Sequence, residues 1–82
     1  MAGAQLRRAI TLVENETGDR VESARLVEQM TTSEGSALVY VVETDQRAYW
    51  VVEDDAGEDV YPRREYRSAD AALDAHVETT AP

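Results

Sequence analysis

No cysteine and no lysine occur anywhere in the 82 residues, and phenylalanine is missing as well. Without cysteine there is no disulfide staple, no thiolate metal site and no thiol nucleophile. Without lysine there is no amine for a Schiff base and no phosphate-loop lysine. His76 is the single histidine, so a closed zinc site is excluded in practice, and no hydrolase motif of serine, cysteine or carboxylate surrounds it. Long hydrophobic runs are also absent: none approaches the roughly 18 consecutive apolar residues of a membrane span. Met1 to Gln5 is too short and too weakly charged to read as a signal peptide. These absences point away from an enzyme, a metal or cofactor protein and a membrane protein. They leave a cytoplasmic chain for which no catalytic, cofactor or metal residue is expected.

Negative charge is what the chain has in excess. Seventeen Asp and Glu stand against 8 basic residues, a net charge of -9, and all 8 basic residues are arginine. Lysine is ordinarily among the commonest residues. High net negative charge keeps a protein soluble while its self-repulsion strains the compact state, a tension that concentrated salt screens. In this composition the chain resembles the proteins of extremely halophilic archaea. The resemblance implies that high salt is needed for stability, and it carries no residue assignments. The length reads as one domain over 1–82, with 79–82 as a frayed tail. So short a chain hides only about 60% of the surface its unfolded state exposes, so a partner that adds burial would be stabilising.

The stretch from Ser36 to Glu53 organises the rest. Its apolar runs Leu38–Val42 and Tyr49–Val52 flank the polar Glu43–Arg47, which reads as an antiparallel hairpin. Alternation places Val39, Val41, Trp50 and Val52 on one face and Leu38, Tyr40, Tyr49 and Val51 on the other. Both faces are apolar, so each needs a cover, from the chain's own helices or from another chain. Val60 and Tyr61 read as a short third strand stopped by Pro62. The meander then spans about 37–43, 47–53 and 59–61.

Around it, helical spacing of Leu6, Ala9, Ile10 and Val13 predicts a helix over 4–16, closed by Gly18 as a left-handed C-cap. Ala24, Val27 and Met30 predict a second helix over 20–31, with Asp19 and Glu22 spaced as a capping box. Ala69, Ala72, Leu73, His76 and Val77 predict a third over 69–78, with Ser68 as N-cap and Asp70 in its first turn. The fold class is α+β in the order ααβββα. The alternative makes the N-terminal segment a β-hairpin, with Ile10–Val13 and Arg20–Ala24 joined through Thr17–Asp19.

Candidate sites are few. Glu53, Asp54, Asp55, Glu58 and Asp59 crowd one turn, but they lack the alternating ligand pattern of a calcium loop and read as a hydrated surface turn. His76 lies on the inner stripe of its helix and reads as a partly buried packing residue with one satisfied nitrogen. Arg63, Arg64, Tyr66 and Arg67 form the main basic patch, suited to an acidic partner or a nucleic acid, with Arg7 and Arg8 as a second pair and Tyr61 nearby. A helix-turn-helix built from the first two helices is weakened by Glu22 and Glu28, which flank Arg20 and Arg25 on the second. Tyr40, Tyr49, Trp50 and Val51 are the candidate interface, because one apolar face of the hairpin is available to a partner. The leading expectation is a non-enzymatic interaction or accessory protein that binds a protein partner or itself as a homodimer through a sheet face. The competing one is a nucleic-acid-binding regulator.

Overall fold

β-Branched and aromatic side chains dominate the middle of the chain, and a computed structural model covering residues 2–32, 35–55 and 57–80 shows what they build. The elements are α1 (Ala2–Thr17), β1 (Val21–Thr32), β2 (Gly35–Thr44), β3 (Ala48–Asp54), β4 (Gly57–Pro62) and α2 (Ala69–Thr80). The four strands form one antiparallel sheet in the order β1-β2-β3-β4. Val41 pairs with Trp50 and Tyr40 with Val51, so β2 and β3 close around the Thr44–Arg47 turn.

The two faces of this hairpin fill two separate cores. On one, Val39, Val41, Trp50, Val52 and Tyr61 pack against Ala72 and Leu73 of α2. On the other, Tyr40, Val42, Tyr49 and Val51 pack against Ala9 and Val13 of α1, with Leu6 and Leu12 at the margin. A sheet that is apolar on both sides is thereby roofed on both sides within one chain. No helix among the described residues is long and apolar enough to cross a membrane.

This corrects the expected three-stranded meander with two N-terminal helices. The segment expected as a helix over 20–31 is the long strand β1, and the alternative N-terminal hairpin is absent because α1 occupies that stretch. The helix-turn-helix reading loses its second helix and lapses. The threefold spacing of Ala24, Val27 and Met30 comes from a β-bulge. The register of β1 on β2 slips between Leu26 and Glu28, so Val27 is an extra residue and the alternation restarts after it. Ala24 lies opposite Val42 on the α1 side, whereas Met30 lies opposite Ala37 on the α2 side. The expected capping box does not form either, since the Asp19 carboxylate accepts hydrogen bonds from Thr44 Oγ1 at 3.2 Å and Tyr49 OH at 3.3 Å. Pairing along an apolar strand outweighed a marginal helical pattern.

The element ends follow local rules. Gly18 sits at φ +75° and its amide donates to the Glu14 carbonyl at 2.9 Å, which ends α1 in a left-handed cap. Ser68 Oγ accepts the Ala71 amide at 3.1 Å and so caps α2. Gly35, at φ +138°, lies where a Cβ would collide with the Asp55 carboxylate, so the β1–β2 and β3–β4 turns adjoin. The expected tail over 79–82 is helical through Thr80, and Ala81 and Pro82 lie outside the described residues. Of the expected loop over 31–36, residues 31–32 and 35–36 are strand, and Ser33 and Glu34 also lie outside the described residues. Val51, fully buried between α1 and the central ladder, is the sharpest test of this packing. Val51→Ala should lower unfolding free energy by about 2 kcal/mol in a denaturant titration, with the m-value unchanged.

Candidate functional site

The acidic turn between β3 and β4 is not the fully hydrated loop its composition suggests. Asp54 and Asp59 turn inward onto His76 of α2, which is fully buried. His76 Nε2 lies 2.9 Å from Asp54 Oδ2, and Nδ1 lies 3.0 Å from Asp59 Oδ2 and 3.2 Å from Tyr61 OH. Both ring nitrogens therefore lie within ion-pair distance of a carboxylate oxygen, and Nδ1 also meets the Tyr61 hydroxyl. Asp54 Oδ1 also accepts the Gly57 amide at 3.0 Å, so the same carboxylate shapes the turn and holds the helix. The Tyr61 ring stands edge-on to His76 and to Tyr66. Burial, then the Asp59 carboxylate, pushes the Tyr61 phenol up to about 12.

This cluster latches the β3–β4 turn to α2. The two carboxylates sit on opposite nitrogens, so they do not converge on one ion, and no group of metal-binding arrangement occurs among the described residues. The Tyr61 phenol, itself in the core, meets the ring at 3.2 Å. Glu53 and Glu58 of the turn face the α1 side. Glu53 pairs across the hairpin with Glu58, and burial followed by the Glu58 charge raises the Glu53 carboxyl, with Arg8 acting against them.

A second polar corner closes the other end of the sheet. Thr44 Oγ1 accepts the Gln46 and Arg47 amides at 3.1 and 3.0 Å and fixes the β2–β3 turn. Asp45 accepts the Arg20 amide at 3.3 Å and donates its own amide to the Arg20 carbonyl at 3.0 Å, tying the start of β1 to that turn. Thr17, Asp19, Gln46, Arg47 and Tyr49 line an open cavity of about 470 Å³ here. Burial and then Asp19 raise the Tyr49 phenol, while Arg47 and Arg64 lower it. Asp19, Thr44 and Tyr49 already satisfy one another, so the corner reads as structural.

The arginines do not converge. Arg7 and Arg8 project from α1 beside Glu58, near the β3–β4 turn. Arg63 begins at the opposite end of the sheet, where its amide donates to the Ala48 carbonyl at 3.1 Å and its guanidinium stacks 5.2 Å over the Trp50 ring. Trp50 Nε1 donates to the Tyr66 carbonyl, so the loop after β4 is clamped onto the core. Tyr61 is buried and Tyr66 is half-buried against it, which leaves no aromatic platform for a base, while Arg64 and Arg67 are exposed. No arginine among the described residues is ion-paired with a carboxylate, including those of the acidic turn.

The residues expected at an interface are spent in the cores. Tyr40, Tyr49, Trp50 and Val51 are 2%, 6%, 7% and 0% exposed, the two tyrosines and Val51 beneath α1 and Trp50 beneath α2. Exposed apolar surface lies instead on the edge of the sheet. Leu26, Val27 and Met30 of β1 are 43%, 38% and 37% exposed, and Val77 of α2, expected on the inner stripe, is 54% exposed. β1 runs for twelve residues and ladders with β2 alone. β4, the other edge, is six residues long, carries Glu58 and Asp59 and ends in Pro62.

No protein-family model, curated protein or solved structure matches the chain. Geometry alone therefore ranks the surfaces, and of the two sheet edges among the described residues β1 is the longer, at twelve residues against six. For the latch, His76→Gln should lower stability by about 2 kcal/mol, because both carboxylates lose a partner but are part-exposed and water replaces some of it. Chemical denaturation in high salt would show this, and an unchanged midpoint would reduce His76 to packing.

Proposed function

We propose that the protein is a small non-enzymatic interaction domain of a salt-rich cytoplasm, and that it binds protein partners by extending its sheet across the β1 edge. The observation that carries this is the long edge strand with Leu26, Val27 and Met30 exposed along it, beside two sheet faces that are already roofed. Soluble proteins blunt free edges with brevity, charge or proline, as β4 does here, whereas β1 is twelve residues long and keeps Leu26, Val27 and Met30 exposed among its charged residues, which leaves it open to another strand. Main-chain hydrogen bonds would supply the affinity and the side chains on either face the selectivity.

The net charge of -9 supports the salt-rich setting, since multimolar salt screens the repulsion that association of acidic surfaces would otherwise meet. The nucleic-acid reading has less behind it: the two arginine groups lie at opposite ends of the sheet, and the tyrosines near them are turned into the core. A decisive comparison immobilises the wild-type chain and a Leu26→Lys/Val27→Lys variant in a multimolar potassium chloride extract of haloarchaeal cells. Proteins should be retained by the wild type, survive nuclease treatment and be lost from the variant, whose circular dichroism should be unchanged. Equal retention on both, or retention abolished by nuclease, would overturn the proposal.

A further inference from the structure

The bulge at Val27 does more than bend the edge; it changes which side chains of β1 share a face. In an uninterrupted strand Arg25 and Glu28, three residues apart, would point to opposite sides of the sheet. Here Arg25 lies opposite Val41 and Glu28 opposite Val39, and both valines belong to the core under α2. The bulge therefore sets Arg25 and Glu28 on one face of the free edge, on either side of Leu26 and Val27.

We infer that the partner of the β1 edge is a second copy of this chain, paired antiparallel about a two-fold axis between Leu26 and Val27. The inference rests on the edge-binding reading above. In that register Arg25 of one copy meets Glu28 of the other, twice, and Leu26 meets Val27. Ser23 then meets Met30, and Ala24 meets Gln29. Each of the outer pairs is consistent in face: Ala24 and Gln29 lie opposite Val42 and Leu38 on the α1 side, while Arg25 and Glu28 both lie on the α2 side. A two-fold axis normal to the sheet keeps like faces together, so the arrangement is isologous and closes as a dimer in which the two four-stranded sheets become one.

Charge selects this register over its neighbours. Shifting it by three residues, so that Arg25 meets its own copy, also brings Glu22 opposite Glu28, and like-charge contacts replace the complementary ones. Glu28 also stands close to Asp70 at the start of α2, and its carboxyl is raised by burial and by that neighbour. An incoming arginine would meet both acids. Contact pairs of this kind fall within the Debye length of about 3 Å at 1 M salt, so they persist where the long-range repulsion of the two acidic bodies is screened.

The test uses two single charge reversals that each break the pairing and restore it only together. Light scattering in high potassium chloride should give wild-type chain at about twice 9.1 kDa. Arg25→Glu alone sets carboxylate against carboxylate at both contacts, and Glu28→Arg alone sets guanidinium against guanidinium, so each variant should dimerise at least about tenfold more weakly. An equimolar mixture of the two variants should recover the dimer, because every contact is again complementary. Both substitutions are on the free edge, and unchanged circular dichroism would confirm the fold. Dimers of wild-type strength from either single variant, or no recovery on mixing, would overturn the register. A wild-type monomer at all concentrations would overturn the second copy as partner, and if capture from extract still depended on Leu26 and Val27 the edge-binding reading would stand without it.

Discussion

The burial of both faces of the β2–β3 hairpin is the constraint on which the rest depends. Strands that present valine, tyrosine and tryptophan alternately to both sides leave no face for water, so one helix must cover each side. Ala9 and Val13 of α1 do this below Tyr40 and Val51, and Ala72 and Leu73 of α2 above Trp50 and Val52. The small side chains of α2 let the helix approach the sheet closely. His76 then uses its position at the end of that stripe to hold Asp54 and Asp59, which locks the β3–β4 turn to the helix.

Spending both faces internally decides where the molecule can meet anything else. A domain of this size, with an interior of two thin layers, keeps its surface largely polar and acidic, and three of its four exposed large apolar side chains, Leu26, Val27 and Met30, lie on β1, with Val77 on α2. The edge is open on the side away from β2, and the helices lie over the faces rather than across it. The proposed interaction by the edge would thus follow from the packing.

Much of the core was legible in the sequence, because period-two alternation in Leu38–Val42 and Tyr49–Val52 is unambiguous when both runs are apolar and a polar turn separates them. The partition of Val39, Val41, Trp50 and Val52 from Leu38, Tyr40, Tyr49 and Val51 follows directly, as do the Gly18 and Ser68 caps, whose residue types answer a local backbone need. β1 was not legible: its bulge at Val27 breaks the alternation and gives Ala24, Val27 and Met30 a helical spacing that no face of the strand shares. The same misreading hid the candidate site, since a helix in that place would offer no edge. Size and aromaticity, which mark Tyr40 and Trp50 as interface candidates in the sequence, are also the properties that put them in the core. The His76 latch depends on a turn and a helix far apart along the chain, a contact that local spacing does not encode.

The most direct test of this account is backbone hydrogen exchange, strand by strand, in high salt over a range of protein concentrations. Amides of β2 and β3 should be strongly protected at every concentration, because both their edges and both their faces are covered within one chain. Amides of β1 should gain protection as concentration rises, as a second strand pairs with its open edge. Exchange of β1 that is independent of concentration, or protection that appears first on α1 or α2, would contradict the claim that the edge is where this protein binds.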